Sequence, residues 1–247
     1  MKECIFEIIS NTKLADNTYE MVFAAPEGEH GVTNPGQFVN IRIEGYFLRR
    51  PISVCDWDEK SLTIVYKSVG KGTEAMSRMS PGEKLSVLTP LGNGYGIEAL
   101  GERPLLVGGG AGVPPMYGLC RTLTEAGKKP VVVLGFNKSS EIFYKEKFKA
   151  LGAEVIIATA DGSEGVRGFV TDAVRELEFT DFCACGPEPM LKALDKTIAP
   201  EINGFMSFEE RMGCGFGACM GCSCETKYGY KRICKEGPVL ERGEIIW

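Results

Sequence analysis

The sequence predicts a small antiparallel β-barrel, then an α/β domain with a parallel sheet, and then a short C-terminal segment rich in cysteine. Three observations lead to this prediction. Short β-branched and aromatic runs fill the first third of the chain. Buried-looking apolar runs alternate with helical patterns through the middle. Five of the ten cysteines lie between residues 214 and 234. We therefore divide the chain at 1–100, 101–205 and 206–247.

The composition excludes several classes of function. Hydrophobic residues make up 44% of the chain and charged residues 25%, and the net charge is −5. This acidic balance disfavours nucleic acid and anionic membranes as partners, since both require a basic face. The start, MKECIFEIIS, lacks the features of a signal peptide, and no apolar run is long enough to span a bilayer. We expect a cytoplasmic protein, in which clustered thiols are more typical of a metal site or of catalysis than of disulfides.

Six runs predict the strands of the barrel, and TEAMSRM is the one plausible helix among them. The runs are separated by turn sequences such as PEGEHG, NPG and SPGE. Six short strands that close on themselves form a small barrel. The predicted strands are CIFEIIS, TYEMVFAA, QFVNIRI, RPISVCD, SLTIVYK and KLSVLTP.

The parallel sheet is predicted from PLLVGGG, PVVVLGF, AEVIIATA and DFCACG. Glycines follow three of these strands, as Gly110 and Gly112, as Asp161-Gly162, and as Cys185-Gly186. Ligands of open α/β sheets bind beyond the carboxyl ends of the strands, so these positions predict one crevice. GGGAGVPP, which ends at Pro115, reads as a strand, a glycine turn and a helix start, where backbone amides hold a pyrophosphate. Tight packing is the alternative reason for these glycines.

The cysteines at 214, 219 and 222 have the C-x4-C-x2-C spacing of plant-type ferredoxins, and Cys234 supplies a distant fourth. This pattern predicts a [2Fe–2S] cluster, for which glycines at 213, 215, 217 and 221 would permit positive φ angles. A four-cysteine zinc site is the alternative, although it usually shows two C-x2-C pairs. A disulfide set is a further one. The fifth thiol, Cys224, is spare, because in an extended segment it points away from Cys222.

Arg49-Arg50-Pro51-Ile52-Ser53 begins a predicted strand with two arginines. Solvated charge is the default interpretation. The functional interpretation is a guanidinium on a phosphate, with a hydroxyl further along the strand that reaches a ring system. The segment from Gly70 to Thr73 precedes the predicted helix and would supply amides for the same phosphate.

Taken together, RPIS, GKGT, GGGAGVPP, CGPEPM and C-x4-C-x2-C-x11-C followed by KEGPV resemble the ferredoxin-reductase superfamily. Within it, the whole chain resembles the electron-transfer subunits of NAD-dependent dihydroorotate dehydrogenases. The resemblance implies an FAD-binding barrel, a nicotinamide-binding α/β domain and a [2Fe–2S] subdomain. It also implies a partner in a hetero-oligomer, namely an FMN-containing catalytic subunit, and a role in pyrimidine biosynthesis.

The resemblance also implies roles for single residues. Ser53, near the flavin N5 edge, and Cys185, near the nicotinamide, would be the catalytic residues. The cofactor-binding set would comprise Arg50, Pro51, Ile52, Ser53, Lys67, Ser68, Val69, Gly72, Thr73, Gly110, Gly112, Pro115, Asp161, Gly162, Cys185 and Gly186. The cluster ligands would be Cys214, Cys219, Cys222 and Cys234.

Two other functions stay open at this stage. The small subunit of an NADPH-linked ferredoxin transhydrogenase shares the architecture, but we expect Asp in place of one cluster ligand there. A zinc-stabilised interaction module would have no redox role. NADH is favoured over NADPH because GFNKSSEIFY contains no arginine for a 2′-phosphate.

Overall fold

The computed structural model describes residues 1–24 and 30–247, and its first part is a closed six-stranded barrel. The strand order is β1-β2-β5-β4-β3-β6, with antiparallel pairing throughout. The long first strand closes the barrel, because its first half pairs with β6 and its second half with β2. The predicted barrel is confirmed, while the turn predicted at residues 26–31 lies mostly outside the described residues. The strands are β1 (Lys2–Ala15), β2 (Thr18–Ala24), β3 (Phe38–Arg42), β4 (Arg50–Trp57), β5 (Ser61–Lys67) and β6 (Lys84–Leu91).

The interior of the barrel is filled by alternate residues of these strands, as a two-residue side-chain period requires. Phe6 and Phe23 meet edge to face at 5.2 Å, and Met21 and Ile64 are fully buried beside them. The helix predicted near TEAMSRM is α1 (Lys71–Met76), between β5 and β6. Its Met76 also enters the barrel core.

The second part is a seven-stranded sheet with helices between its strands. Its order is β10-β9-β8-β7-β11-β12-β15, and all pairs except the last are parallel. The parallel sheet is therefore confirmed. The elements are β7 (Leu105–Gly109), α2 (Val113–Glu125), β8 (Val131–Phe136), α3 (Lys145–Ala150), β9 (Glu154–Thr159), β10 (Val166–Arg167), α4 (Val170–Val174), β11 (Phe182–Cys185), α5 (Glu188–Thr197) and β12 (Gly204–Ser207).

The C-terminal segment is joined to both earlier parts. It forms a hairpin of β13 (Ser223–Thr226) and β14 (Gly229–Arg232), and β15 (Val239–Glu241) then pairs antiparallel with β12. Strand β12 crosses the position at which we divided the chain, so the domain limits stay a prediction. Cys222 and Cys234 belong to the same hydrophobic core as Phe38 of the barrel and Val107 of the sheet. This shared core fixes the cysteine loop against the barrel and the α/β sheet.

Within the described part of the chain, no helix combines the length and the apolar character needed to cross a membrane.

Candidate functional site

A cleft of about 590 Å3 opens at the carboxyl ends of the parallel strands. This is the edge at which open α/β sheets bind ligands. Of the predicted nucleotide contacts, Gly110, Gly186 and Lys67 line the cleft. Asp161 and Gly162 lie just beyond Ala160, which is the lining residue at the end of β9. The other lining residues include Gly109, Phe136, Asn137, Glu141, Phe169, Pro187, Met190 and Glu209.

The two predicted glycines after β7 have different local roles. Gly110 has a φ of +53° and faces the cleft, where the nearest atom to an added Cβ is Lys67 Nζ at 3.8 Å. An added Cβ on Gly112 would instead overlap the backbone carbonyl of Cys185. Gly112 thus permits close packing of α2 against β11, and Pro115 is buried in the first turn of that helix. A direct contact of Gly112 or Pro115 with a nucleotide stays a prediction.

Cys185 ends β11 just before Gly186, which lines the cleft; Cys185 itself is not a lining residue and is 2% exposed. In register it lies between Gly108 of β7 and Ser207 of β12. Burial raises the pKa of the Cys185 thiol to about 12, and the nearby Glu209 carboxylate acts in the same direction. Cys185 is therefore a neutral thiol at physiological pH.

Glu209 is a residue of the cleft to which sequence reasoning assigned no role. It follows β12 by two residues and lines the mouth of the cleft. Partial removal from water raises the pKa of its carboxyl above the usual value. Its position just past the carboxyl end of a parallel strand was the signal that could have identified it.

Lys67 connects the barrel to the cleft. It ends β5, and its ammonium lies 3.4 Å from the Glu141 carboxylate across the cleft wall. The next residues, Ser68 and Val69, lead to the helix; the Ser68 amide donates to Asn17 O at 2.7 Å, and Val69 is 82% exposed. A group bound along this segment would face the nucleotide cleft.

The two neighbouring arginines have separate roles. Arg49 is tied into the barrel, with an ion pair to Glu3 at 2.6 Å and hydrogen bonds to Ser86. Arg50 lies 5.4 Å above the Tyr46 ring and donates to the carbonyl of Leu48. Within residues 1–24 and 30–247 no carboxylate pairs with Arg50. Arg50 is thus the one of the two with charge available for an anion.

The start of α1 is built around Arg50. An added Cβ on Gly72 would overlap the Arg50 guanidinium, so the glycine admits the arginine to the first turn of the helix. The Thr73 hydroxyl accepts the backbone N–H groups of Val69 and Gly70 at 3.0 and 3.3 Å and donates to Gly70 O. Thr73 therefore shapes the loop, and its contact with a pyrophosphate stays a prediction.

The rest of the predicted flavin strand is half-buried. Pro51, Ile52 and Ser53 follow Arg50 on β4 as partly exposed residues, before the buried Val54. Ser53 pairs in register with Phe38 of β3. The strand thus presents a continuous run of partly exposed residues next to Arg50. Their contacts with a flavin stay a prediction.

The four predicted ligand cysteines lie together as two pairs. Cys219 is close enough to Cys214 to lower the pKa of its thiol, and Cys222 Sγ accepts the backbone N–H of Cys234 at 3.4 Å. Cys222 and Cys234 are each 2% exposed, while Cys219 is exposed and Cys214 is half-buried. The cluster site would thus have a buried end and a solvent-facing end.

Backbone amides already point at the sulfur of Cys214. The N–H groups of Phe216 and Ala218 approach Cys214 Sγ at 3.5 and 3.2 Å. Burial alone would raise the pKa of this thiol, but these amides and Cys219 lower it to about 6. At the other end burial, together with Cys222, raises the pKa of Cys234 to about 12. A thiolate at neutral pH is the form that binds iron.

The glycines of the loop act in two ways, of which sequence analysis expected one. Gly215 and Gly217 have φ angles of +79° and +91°. Gly213 and Gly221 do not have positive φ; instead, an added Cβ would lie 3.2 and 3.5 Å from Cys219 Sγ. Gly213 thus leaves space for the Cys219 sulfur, whereas the distance at Gly221 is an ordinary van der Waals contact. Positive φ at Met220, with a value of 60°, was not expected from the sequence.

The donor set fits a binuclear cluster better than a single metal ion. A [2Fe–2S] cluster takes two thiolates on each iron, and the four cysteines form two pairs. Cys224 lies on β13 with its Sγ directed to Glu225 O at 3.7 Å, outside both pairs.

Comparison with known families and solved structures agrees with this geometry. The iron–sulfur cluster binding domain of dihydroorotate dehydrogenase B matches residues 209–246, and the oxidoreductase NAD-binding domain matches residues 106–196. A solved structure described as the NADH-dependent reduced ferredoxin-NADP oxidoreductase is similar with a TM-score of 0.87 and 31% identity, covering 98% of this chain and 90% of that one. A ferredoxin reductase in carbazole 1,9a-dioxygenase shares the fold at a TM-score of 0.70 and 20% identity, covering 79% of this chain and 64% of that one.

Curated relatives match along nearly the whole chain. The dihydroorotate dehydrogenase B (NAD(+)) electron transfer subunit of Bacillus caldolyticus is 44% identical, over 97% of this chain and 96% of the relative. The protein of the same name from Fusobacterium nucleatum is 42% identical, over 99% and 98% of the two chains. The chain belongs to the family of dihydroorotate dehydrogenase B electron transfer subunits.

Proposed function

We propose that this chain carries electrons between NAD+ and a separate FMN-containing catalytic subunit that oxidises dihydroorotate, as a step of pyrimidine biosynthesis. One observation carries the proposal: a nucleotide cleft, a strand with an available arginine and a four-cysteine loop meet in one chain. Lys67 joins the barrel to the cleft, and Asn40 of the barrel contacts Cys214 of the loop. These contacts support an arrangement in which the three proposed cofactor sites follow one another in series.

The cleft is the proposed nicotinamide site. Gly110 leaves space for a ligand, because an added Cβ there would meet only Lys67 Nζ at 3.8 Å, whereas Gly186 permits close packing of Met190. The Glu209 carboxylate, which also lines the cleft, suits the positive charge of an oxidised nicotinamide. Cys185 would lie beside the ring as a neutral, tightly packed thiol. NADH is favoured over NADPH, because Lys138 near the cleft is paired with Asp16 at 2.9 Å and is not available to a 2′-phosphate.

The exposed side of β4, together with the start of α1, is the proposed FAD site. Arg50 would hold a phosphate of FAD, with Gly72 and Thr73 next to it, and Ser53 would face the reactive edge of the ring. Lys67, Ser68 and Val69 would run along that ring towards the cleft. When bound, FAD supplies two-electron exchange with nicotinamide, and the cluster supplies one-electron exchange with the partner.

The surface around the cysteine loop is the proposed docking surface for the catalytic subunit. Cys219 is exposed there, and four large side chains of the loop and its hairpin are unusually exposed. They are Phe216, Met220, Tyr228 and Tyr230, at 42%, 54%, 82% and 71%. Exposed aromatic and methionine side chains are typical of interface cores. An electron leaving through the exposed end of the cluster site would enter a partner bound on this surface.

We propose that substrate oxidation occurs on the partner, because among the described residues the histidine has no free ring nitrogen to act as a base. Removal of hydrogen from carbon needs a positioned proton acceptor. The only histidine, His30, is buried, and both of its ring nitrogens are engaged, with Asp58 O at 2.6 Å and the Val32 amide at 3.1 Å.

None of the ten cysteines forms a disulfide, which suits the reducing cytoplasm that we propose as the location.

Reconstitution tests this function. The isolated chain, loaded with FAD and cluster, should oxidise NADH with an artificial dye but should not turn over dihydroorotate. Addition of the FMN-containing subunit should give dihydroorotate-dependent NAD+ reduction. The double variant Met220→Ser/Tyr230→Ser should weaken this coupled activity and leave the dye reaction intact, whereas Ile9→Ser, which changes an exposed residue of β1, should affect neither. Dihydroorotate turnover by the isolated chain would disprove the proposal.

A further inference from the structure

Asn40 is a buried amide that faces out of the barrel towards the cysteine loop. It lies in β3 between Val39 and Ile41, both of which enter the barrel core. Because side chains alternate along a strand, Asn40 and Phe38 point to the opposite side. Phe38 there joins the core that contains Cys222 and Cys234. Asn40 is 1% exposed, although it lies on the outer face of the barrel, because the loop covers it.

The side-chain amide of Asn40 contacts the cysteine loop at the backbone of Cys214, the first of the four proposed ligands. Its Nδ2 donates to the carbonyl oxygen of Cys214 at 3.4 Å. An added Cβ on Gly215, which has a φ of +79°, would overlap this Nδ2. The contact therefore depends on a glycine at residue 215 and on a left-handed turn of the chain there.

The other half of the same amide is not satisfied. Asn40 Oδ1 is buried and has no hydrogen-bond partner in residues 1–24 and 30–247. A buried acceptor without a partner destabilises the folded chain. A leucine of nearly the same size would not have this unpaired group. What leucine lacks is the donor to the Cys214 carbonyl, so this donor is the feature that distinguishes Asn40 functionally.

Asn40 binds the carbonyl of the peptide between Cys214 and Gly215. This peptide immediately precedes the backbone amides that point at the Cys214 sulfur. The N–H groups of Phe216 and Ala218 follow within four residues and approach Cys214 Sγ. A peptide plane fixed at Cys214 and Gly215 fixes the direction of the next turn and thus of these two donors. Amide hydrogen bonds to ligand sulfur stabilise the reduced cluster and raise its reduction potential.

The backbone of Asn40 is tied to the proposed flavin strand. In register Asn40 lies opposite Pro51, which follows Arg50 on β4, and its carbonyl accepts from Arg49 Nη1 at 3.3 Å. One residue thus connects the strand that would hold FAD to the loop that would hold the cluster.

We propose that Asn40 is a positioning residue, which holds the Cys214 peptide against the barrel and thereby sets the reduction potential of the cluster. This inference rests on the proposed ligation of the cluster by Cys214, Cys219, Cys222 and Cys234. It concerns how the barrel controls that site and does not alter which groups ligate iron.

The test compares the wild-type chain with three single variants, which are Asn40→Leu, Asn40→Asp and Thr89→Val. The first variant keeps the approximate size and removes the donor, and the second keeps the shape but replaces the donor nitrogen with a second acceptor oxygen. Thr89→Val is the matched control, since Thr89 is fully buried in β6 and its hydroxyl donates to His30 O at 2.8 Å, away from the loop. The measurements are iron, sulfide and FAD per chain, the redox equilibrium of the cluster with a dye of known potential, and the electron paramagnetic resonance spectrum of the reduced cluster.

Both Asn40 variants should bind FAD normally and shift the dye equilibrium against cluster reduction by up to about tenfold, which is about 59 mV for one electron. Their spectra should differ from wild type, and Thr89→Val should match it. Loss of the cluster from Asn40→Leu with FAD retained would also support the proposal. Wild-type potentials and spectra in fully loaded Asn40→Leu, or in Asn40→Asp, would overturn it. Absence of iron and sulfide from the wild-type chain would instead refute the proposed function, so the two failures are distinguishable.

Discussion

Replacement of Arg50 by alanine should weaken FAD binding while leaving the fold and the cysteine loop intact. Arg50 has no carboxylate partner among the described residues, and it packs on Gly72 at the start of α1. The structure therefore predicts that its charge is used on a bound anion. A hydrogen bond to a charged group contributes about 1.5–3 kcal/mol. Since 1.4 kcal/mol is a factor of ten in affinity, FAD should bind about 10- to 100-fold more weakly.

Arg49→Ala is the matched control, because it removes the same charge one residue away. Arg49 is held by Glu3 and Ser86, so its loss should lower the free energy of unfolding slightly and leave FAD affinity unchanged. The assay titrates FAD into deflavinated protein and follows the quenching of flavin fluorescence, with iron per chain as the check on the cluster. Equal FAD affinity in Arg50→Ala and wild type would refute this reasoning, as would equal losses in the two variants.

Three further predictions concern the cluster and the cleft. Cys224→Ser should keep the visible absorption and iron content, whereas Cys219→Ser should lose most of both, as spectra and iron analysis will show. Gly110→Ala should weaken NADH binding in a titration and also cost about 1–2 kcal/mol of stability, because Gly110 has a φ of +53°. Gly112→Ala should destabilise the fold by about 1–3 kcal/mol or more through overpacking, as thermal unfolding will show. Partial burial raises the pKa of Glu209, so NAD+ affinity should fall as the pH drops through that raised value; Glu209→Gln should bind NAD+ weakly at every pH, and a wild-type pH profile in this variant would contradict the assignment.

The barrel and the parallel sheet could be predicted because their strands carry strong local patterns. β2 and β5 have turn residues at both ends, and β7 is an apolar run that leads into a glycine turn. β15 was not predicted, because three residues after Pro238 have no period of their own. Its place beside β12 depends on packing between distant parts of the chain.

The sequence predicted which motifs would form the candidate site. It did not predict the different functions of neighbouring residues within one motif. Arg49 and Arg50 are the same residue type in adjacent positions, so local sequence does not distinguish them. They differ because Glu3, which is distant in the chain, forms an ion pair with Arg49. Gly110 and Gly112 likewise differ only in what faces them. Local sequence does not contain these long-range contacts.

The four cysteines that we propose as ligands were selected from their spacing, because x4 and x2 intervals are typical of a loop around a [2Fe–2S] cluster. The proposed role of Asn40 could not be predicted from the sequence. A single asparagine in a strand of alternating residues is normally interpreted as a solvent-facing residue. Only the burial of its side chain beneath the loop distinguishes it.

The central claim is that electrons pass between the nucleotide cleft and the partner through the cysteine loop. The most direct test measures two activities in one preparation of the complex with the FMN-containing subunit, for wild type and for Cys219→Ser, at equal FAD content. These activities are dihydroorotate-dependent NAD+ reduction and NADH oxidation with a dye that accepts electrons from flavin. We predict that Cys219→Ser loses most of the first activity and keeps most of the second, so that their ratio falls. An unchanged ratio, whether both activities persist or both decline together, would contradict the account.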